Sequence, residues 1–211
     1  MKDTVLVHLM HFPVYALGPG TRAGLWFQGC TLRCRGCVTP ESWSFDPKSS
    51  VPVPDVIEGL RAFFRTEPPP DGLTISGGEP FDQPDALFGI LRAARELGVR
   101  DVLAYSGYRA EALLESYPQL PQLLSALVDG PFERGNRTDS VWKGSLNQRL
   151  VLFDGDFRER YEAWEQSPKR KMQLIGMDDG RKLLIGIPRQ EDVFRLKNPF
   201  FCDGSGGRQW N

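Results

Sequence analysis

No apolar run in the 211-residue chain approaches the roughly 18 residues that a membrane-spanning helix requires. The runs are short, as in Leu183-Leu184-Ile185 after Lys182. The opening residues Met1-Lys2-Asp3-Thr4-Val5-Leu6-Val7-His8 lack the apolar stretch and small-residue cleavage site of a secretory signal. A cytoplasmic protein without a membrane partner is therefore expected. Charge of either sign is also not in excess. Lys and Arg number 26 against 27 Asp and Glu, a net charge of −1. That balance provides neither a broad basic surface for nucleic acid nor an acidic solvating tail. Internal repeats are absent. Cysteine is scarce and unevenly placed: Cys30, Cys34 and Cys37 fall within eight residues, and Cys202 stands apart near the C-terminus. A chain of this length buries a core without disulfide staples. In a reducing compartment such a tight group indicates metal or redox chemistry.

The pattern of the chain is strand and helix in alternation. Thr4–Met10, Ala23–Gln28, Asp71–Ser76, Asp101–Tyr105 and Leu127–Asp129 read as strands. Asp55–Arg65 and Pro84–Leu97 read as amphipathic helices, and Ala110–Ser116 and Gln119–Leu127 as short ones. Strands separated by helices of about 10–15 residues imply βαβ units and a parallel sheet, with the chemistry at the C-terminal strand ends. Loops at 29–43, 77–81, 106–108 and 129–132 should then converge. From about Ser167 the character changes. Lys171–Met177 and Arg181–Ile187 flank Asp178-Asp179-Gly180, a hairpin signal. The expected division is a core over 1–166 and an appended hairpin and Gly-rich tail over 167–211.

The cluster spacing is Cys30-x3-Cys34-x2-Cys37. Thiolates are soft ligands that suit zinc or iron–sulfur groups. Structural zinc takes four closed ligands. A cubane takes four thiolates, so three leave one iron open to a substrate or cofactor. The spacing thus allows a reactive cluster, a zinc site completed by His8, His11 or Cys202, or unpaired thiols.

Longer stretches add a resemblance. Gly18-Pro19-Gly20-Thr21-Arg22, then the run from Trp26 to Cys37, then Pro40-Glu41-Ser42-Trp43 resemble the N-terminal segment of radical S-adenosylmethionine (SAM) enzymes. The branch they most resemble is the activating protein of anaerobic ribonucleoside-triphosphate reductase, a glycyl-radical-enzyme activase. The likeness continues through Ser76–Pro80, Tyr105–Tyr108, Asp129–Phe132 and Gly144–Arg149, roughly residues 4–152. It implies an α/β fold, an incomplete (β/α) barrel of mostly parallel strands. It also implies a single 4Fe–4S cluster on Cys30, Cys34 and Cys37, with SAM chelated at the open iron. Reductive cleavage of SAM would yield a 5′-deoxyadenosyl radical that takes a hydrogen atom from a glycine of the partner enzyme. A flavodoxin- or ferredoxin-like protein would supply the electron. Many radical SAM enzymes carry an aromatic residue just before the third cysteine; Gly36 stands there in this chain, as is common among activating proteins. Gly36 and Val38, on either side of Cys37, are carried over as cofactor-binding positions.

The remaining candidates have physical rationales. Gly77-Gly78 lets a backbone approach a ligand closely, and Glu79 can accept charge-assisted bonds from a ligand ammonium. The alternative is a plain strand-to-helix turn with a capping Glu. Ser106 and Gly107 offer a hydroxyl and an amide to SAM, or form a turn. Asp129 meets the ribose hydroxyls or a cation, or is a turn residue before Gly130. Asn147, Gln148 and Arg149 contact SAM or a partner, or satisfy backbone groups. Cys202 is an exposed thiol or a hydrogen donor at the site, and Trp210 a partner contact. Arg158-Glu159-Arg160 and Lys169-Arg170-Lys171 read as solvated faces. Two other functions fit the same residues: radical chemistry on a small molecule or peptide under a hairpin lid, and a non-catalytic zinc or iron–sulfur scaffold.

Overall fold

The computed structural model describes residues 4–167, 172–176 and 182–190. Cys202, Trp210, the Gly-rich tail, the Asp178-Asp179-Gly180 turn and Lys169-Arg170-Lys171 lie outside the described residues.

A seven-stranded sheet organises the chain. Its strands are β1 (Thr4–Val14), β2 (Arg22–Phe27), β3 (Ser50–Pro52), β4 (Gly72–Gly77), β5 (Val102–Tyr105), β6 (Ala126–Asp129) and β7 (Arg149–Leu152), in the order β3-β1-β2-β4-β5-β6-β7. β2, β4, β5 and β6 pair in parallel. β1 is antiparallel to both β2 and β3, and β7 is antiparallel to β6. Five strands therefore point one way, β2 to β6 in chain order, and the sheet is open between the edge strands β3 and β7. A second, two-stranded antiparallel sheet joins β8 (Met172–Gly176) to β9 (Lys182–Gly186), the expected hairpin.

Helices α1 (Val53–Phe64), α2 (Pro84–Glu96), α3 (Ala110–Ser116), α4 (Leu120–Leu123) and α5 (Arg158–Glu165) complete the fold. Each of α1 and α2 has a proline in its first turn, where no intrahelical N–H is required. α1 buries Val56 and Leu60, one turn apart; α2 buries Leu87, Ile90, Leu91 and Ala94 at helical spacing. The strands sort their side chains with period two. Leu25, Phe27, Leu73, Ile75, Val102, Ala104 and Leu127 share a core with the helices α1 to α4. Leu103, Ala126 and Val128 belong to the opposite face, under Val141, Trp142 and Tyr161 of α5.

Four elements depart from the sequence reading. Gln119–Leu127 is not one helix: Leu120–Leu123 makes a single turn, and Ala126 already belongs to β6. β3 and β7 were not expected as strands. Both are short edge strands whose pairing is antiparallel, and neither carries an alternating pattern long enough to see. α5 is a helix that no sequence pattern announces: Arg158 and Glu159 are exposed, as expected of a solvated face, while Arg160 pairs with Asp71 at 3.2 Å and Tyr161, the next residue, is buried.

At the N-terminal ends of the central strands lies a buried ion pair. Arg22 on β2 and Asp101 before β5 are 0% and 1% exposed and 2.8 Å apart. Arg22 also donates through Nε to Thr74 Oγ1 of β4 and through its terminal nitrogens to the Leu73 and Pro19 carbonyls. The Tyr161 hydroxyl donates to Asp101 Oδ1 at 2.7 Å, and the Thr74 hydroxyl to the Leu17 carbonyl. No buried side-chain polar atom among the described residues is left unpaired. Such a group is costly to break from one side, because the partner's charge stays behind. Asp101→Asn should lower the unfolding free energy by about 3–5 kcal/mol. Tyr161→Phe should lower it by about 1–3 kcal/mol. Chemical denaturation read by tryptophan fluorescence checks both.

Candidate active site

Because β2, β4, β5 and β6 are parallel, the loops that follow them leave the same edge of the sheet. Between those loops opens a cavity of about 240 Å³. Cys30, Cys34, Cys37, Val38, Gly77, Gly78, Glu79, Ser106 and Gly107 all line it, together with His8, Trp26, Phe132, Gln148 and β9. Gly36 and Asp129 are not among its lining residues.

The cysteine loop is held from several sides. Gln28, buried just before it, donates from its side-chain nitrogen to the Glu41 and Ser44 carbonyls, and its Oε1 lies 2.8 Å from His8 Nδ1. Gly29 and Cys30 donate backbone N–H groups to Ser42 and Trp43. The Thr31 N–H and hydroxyl both donate to the Asp82 carboxylate, which the Tyr108 hydroxyl also reaches at 2.8 Å. Gln83 binds the Gln28 carbonyl and the Leu6 N–H. Between the second and third cysteines Gly36 takes φ +86°, where a Cβ would press on the Arg134 side chain at 3.2 Å.

Gly77-Gly78 makes a close backbone approach, and the partner is the chain itself. Gly78 N–H donates to the Phe27 carbonyl at 2.7 Å and Glu79 N–H to the Gly29 carbonyl at 2.8 Å. A Cβ on Gly78 would sit 2.1 Å from the Gly29 oxygen. Gly77, at φ +116°, would place one 2.2 Å from the Phe27 nitrogen. The pair thus docks the loop after β4 against the root of the cysteine loop.

Glu79, Ser106 and Gly107 are bonded to one another. Glu79 is 1% exposed. Its Oε2 accepts from the Gly107 N–H at 2.7 Å, and its Oε1 accepts from the Ser106 hydroxyl at 2.9 Å and the Phe81 N–H at 3.1 Å. Burial pushes its carboxyl up to about 7, against the lowering effect of those donors. The result is a buried acid at the cavity wall whose two oxygens are held by three donors of the chain itself.

Asp129 is fully buried and committed elsewhere. Its carboxylate accepts from the Ala110 N–H at the start of α3, from Arg149 Nε at 3.0 Å and from a terminal Arg149 nitrogen, with Arg109 at 3.5 Å. Burial alone would raise its pKa; the Arg149 bonds, the Ala110 N–H and the Arg109 charge outweigh that and hold it below the usual range. Asn147 and Gln148 satisfy backbone groups. Asn147 donates to the Pro131 carbonyl; Gln148 donates to Gly130 and accepts from Gly144 and Ser145.

Cys30, Cys34 and Cys37 are free thiols, the first buried and the others half-buried. Burial pushes the Cys30 and Cys34 thiols up, against nearby backbone N–H groups that pull them down. Such thiols ionise when a metal displaces the proton. Among the described residues no three His, Cys, Asp or Glu side chains converge on one point, as ligands of a single ion must. A cubane asks for something different: each thiolate binds a separate iron and the sulfurs surround the group. Three free soft donors around one cavity fit that demand.

Sequence reasoning left the supports of the loop unassigned. Gln28 and Tyr108 stand inside the stretches that carry the resemblance, without a role of their own there, and Asp82 and Gln83 are marked only by following Ser76–Pro80 closely.

Two measurements check this geometry. Gly78→Ala should destabilise the fold by about 1–3 kcal/mol through the clash with Gly29 and lower the iron bound on reconstitution. Asp129→Asn should cost about 1–3 kcal/mol at neutral pH. Since the folded pKa lies below the ordinary 3.8, this contribution is complete above that pH and vanishes as pH falls through the folded value. Native and variant stability curves should therefore converge in acid.

The chain has relatives of known name. A family profile described as "4Fe-4S single cluster domain" matches residues 16–151. The anaerobic ribonucleoside-triphosphate reductase-activating protein of Haemophilus influenzae is 32% identical over 153 residues, covering 69% of this chain and 97% of that protein. The Escherichia coli K12 protein of the same name is 32% identical over 146 residues, 65% of this chain and 93% of its own length. The pyruvate formate-lyase-activating enzyme of Clostridium pasteurianum is 35% identical over 95 residues, 43% of this chain and 39% of that enzyme. Three clustered cysteines on a shared cavity, the matched cluster domain and similarity over nearly the whole length of the two reductase-activating proteins place the chain in the radical SAM family of anaerobic ribonucleoside-triphosphate reductase-activating proteins.

Proposed function

We propose that this protein activates a glycyl radical enzyme, a ribonucleoside-triphosphate reductase, with Cys30, Cys34 and Cys37 holding its 4Fe–4S cluster. The observation that carries the reading is the shared cavity: three free thiols and the Glu79–Ser106–Gly107 group line it together. When bound, the reduced cluster and SAM supply a 5′-deoxyadenosyl radical that removes a hydrogen atom from a glycine. The protein's own residues bind, orient and exclude. Glu79 offers a carboxylate to the methionine ammonium, and the Ser106 hydroxyl and Gly107 N–H fix its plane. An approaching ammonium favours the ionised acid, offsetting the burial that raises its pKa. Trp26, Leu32, Trp43 and Phe132 supply the apolar lining that keeps water from a reactive intermediate. Val38 lines the cavity beside Cys37 and offers the ligand an apolar contact, and Gly36, outside the lining, acts through its φ of +86°, which turns the chain between Cys34 and Cys37. Asp129 acts at one remove, by fixing α3 and the arginines beside the cavity.

In this reading the open sheet is an incomplete barrel, residues 1–166 form the catalytic core, and residues 167–211 are joined to it. A flavodoxin- or ferredoxin-like protein in the cytoplasm delivers the electron. Among the described residues no helix is long and apolar enough to cross a membrane.

Anaerobic reconstitution should give a brown protein with about four irons per chain. Dithionite and SAM should then yield 5′-deoxyadenosine, and Cys30→Ser, Cys34→Ser and Cys37→Ser should each reduce the yield by about 100-fold or more. A colourless protein with one zinc and no 5′-deoxyadenosine would overturn the reading.

A further inference from the structure

The family profile ends at residue 151, and the hairpin β8–β9 follows the matched segment. The Haemophilus protein is covered over 97% of its length by 69% of this chain, so this chain carries surplus residues that its relative does not need. Part of that surplus reaches the site. Leu183, Leu184, Ile185, Gly186 and Ile187 line the same cavity as the three cysteines.

The hairpin is anchored where it meets the core. Ile185 is buried with Val14, Ala16 and Leu17, and Leu183 and Ile187 pack against that group. Gln173 on β8 donates to the Pro13 carbonyl and accepts from the Tyr15 N–H. Just past β9, Gln190 accepts from the Gly135 N–H and donates to the Glu133 and Gly144 carbonyls. β9 pairs Leu184 with Leu174, which is 65% exposed, so Leu184 shares the outer face of the hairpin, whereas Leu183, Ile185 and Ile187 face the core and, with Trp26 and Tyr105, the cavity. From Leu183 to Ile187 the wall has no charged or polar side chain, so it contributes shape and exclusion, not binding charge.

We propose that β9 is the substrate-side wall of the cavity and that Leu183, on its inner face, is its specificity-determining part. The proposal rests on the activase reading. A fixed apolar wall admits a thin backbone segment, and glycine is the residue whose α-carbon brings no side chain against it. Each added methyl group meets the wall, so a peptide bearing alanine at the reacting position is turned away where one bearing glycine enters.

The first test uses the full chain without its cluster. Cys34 and Cys37 are alkylated by iodoacetamide or by a bulky aryl maleimide, and each site is followed by peptide mass spectrometry. Leu183→Trp should slow the maleimide about tenfold and leave iodoacetamide nearly unchanged, whereas Leu183→Ala should speed the maleimide. Maleimide rates that are the same in all three proteins would overturn the proposal. The second test uses the reconstituted enzyme with Cα-deuterated peptides carrying glycine or alanine. Leu183→Ala should raise deuterium transfer from the alanine peptide, relative to glycine, about tenfold. An unchanged ratio would contradict the assignment. A native chain that cleaves no SAM would defeat the activase reading instead, and the alkylation rates would still decide whether β9 walls the cavity.

Discussion

A guanidinium without access to water ties three strands together at the base of the sheet. Arg22 begins β2, binds Thr74 and the Leu73 carbonyl on β4, and pairs with Asp101 at the start of β5. An uncompensated charge there would be far more costly than a misplaced apolar residue, so this end of the sheet has one acceptable register. Fixing the N-terminal ends of parallel strands also fixes where their C-terminal ends stop. The cysteine loop, the Gly77-Gly78 turn and the Ser106-Gly107 turn are brought level by an interaction at the opposite pole of the strands. Tyr161 of α5 completes the pair, which makes a helix beyond the matched family segment part of the support.

At the other pole the loops bind one another before any cofactor enters. Asp82 from the loop after β4 receives Thr31 of the cysteine loop and Tyr108 from the loop after β5. Glu79 receives Ser106 and Gly107. The docking of Gly78 on Gly29 closes the same circuit through the backbone. A site linked in this way holds its three thiols around a prepared space and loses little ordering entropy when the cluster arrives. The buried acid within it is tolerated because three donors surround it.

Much of this was legible in the sequence. The central strands, α1 to α3 and the hairpin carry periodicities of 2 or 3.6 over enough residues to read, and the expected bounds lie within a few residues of those observed. Proline punctuated the helix starts at Pro54 and Pro84. The cysteine triplet was legible because metal chemistry imposes both residue type and spacing. What stayed hidden depends on distant partners. Arg22 stood inside a recognised motif, yet its burial depends on Asp101, 79 residues away. Asp129 looked like a ligand or a turn residue, and only the placement of Arg149 and Ala110 reveals a carboxylate already engaged. The glycine pair reads as a backbone that approaches a ligand; the close approach that the structure shows is to the chain's own backbone at Phe27 and Gly29, which no local pattern announces.

The central claim is that three cysteines leave one iron of the cluster open to SAM. Electron–nuclear double resonance on the reduced, reconstituted protein, with SAM isotopically labelled in its amino and carboxylate groups, tests it most directly. Hyperfine coupling from both labels to the cluster is the predicted result. A cluster signal that carries neither coupling, with SAM present at saturation, would contradict it.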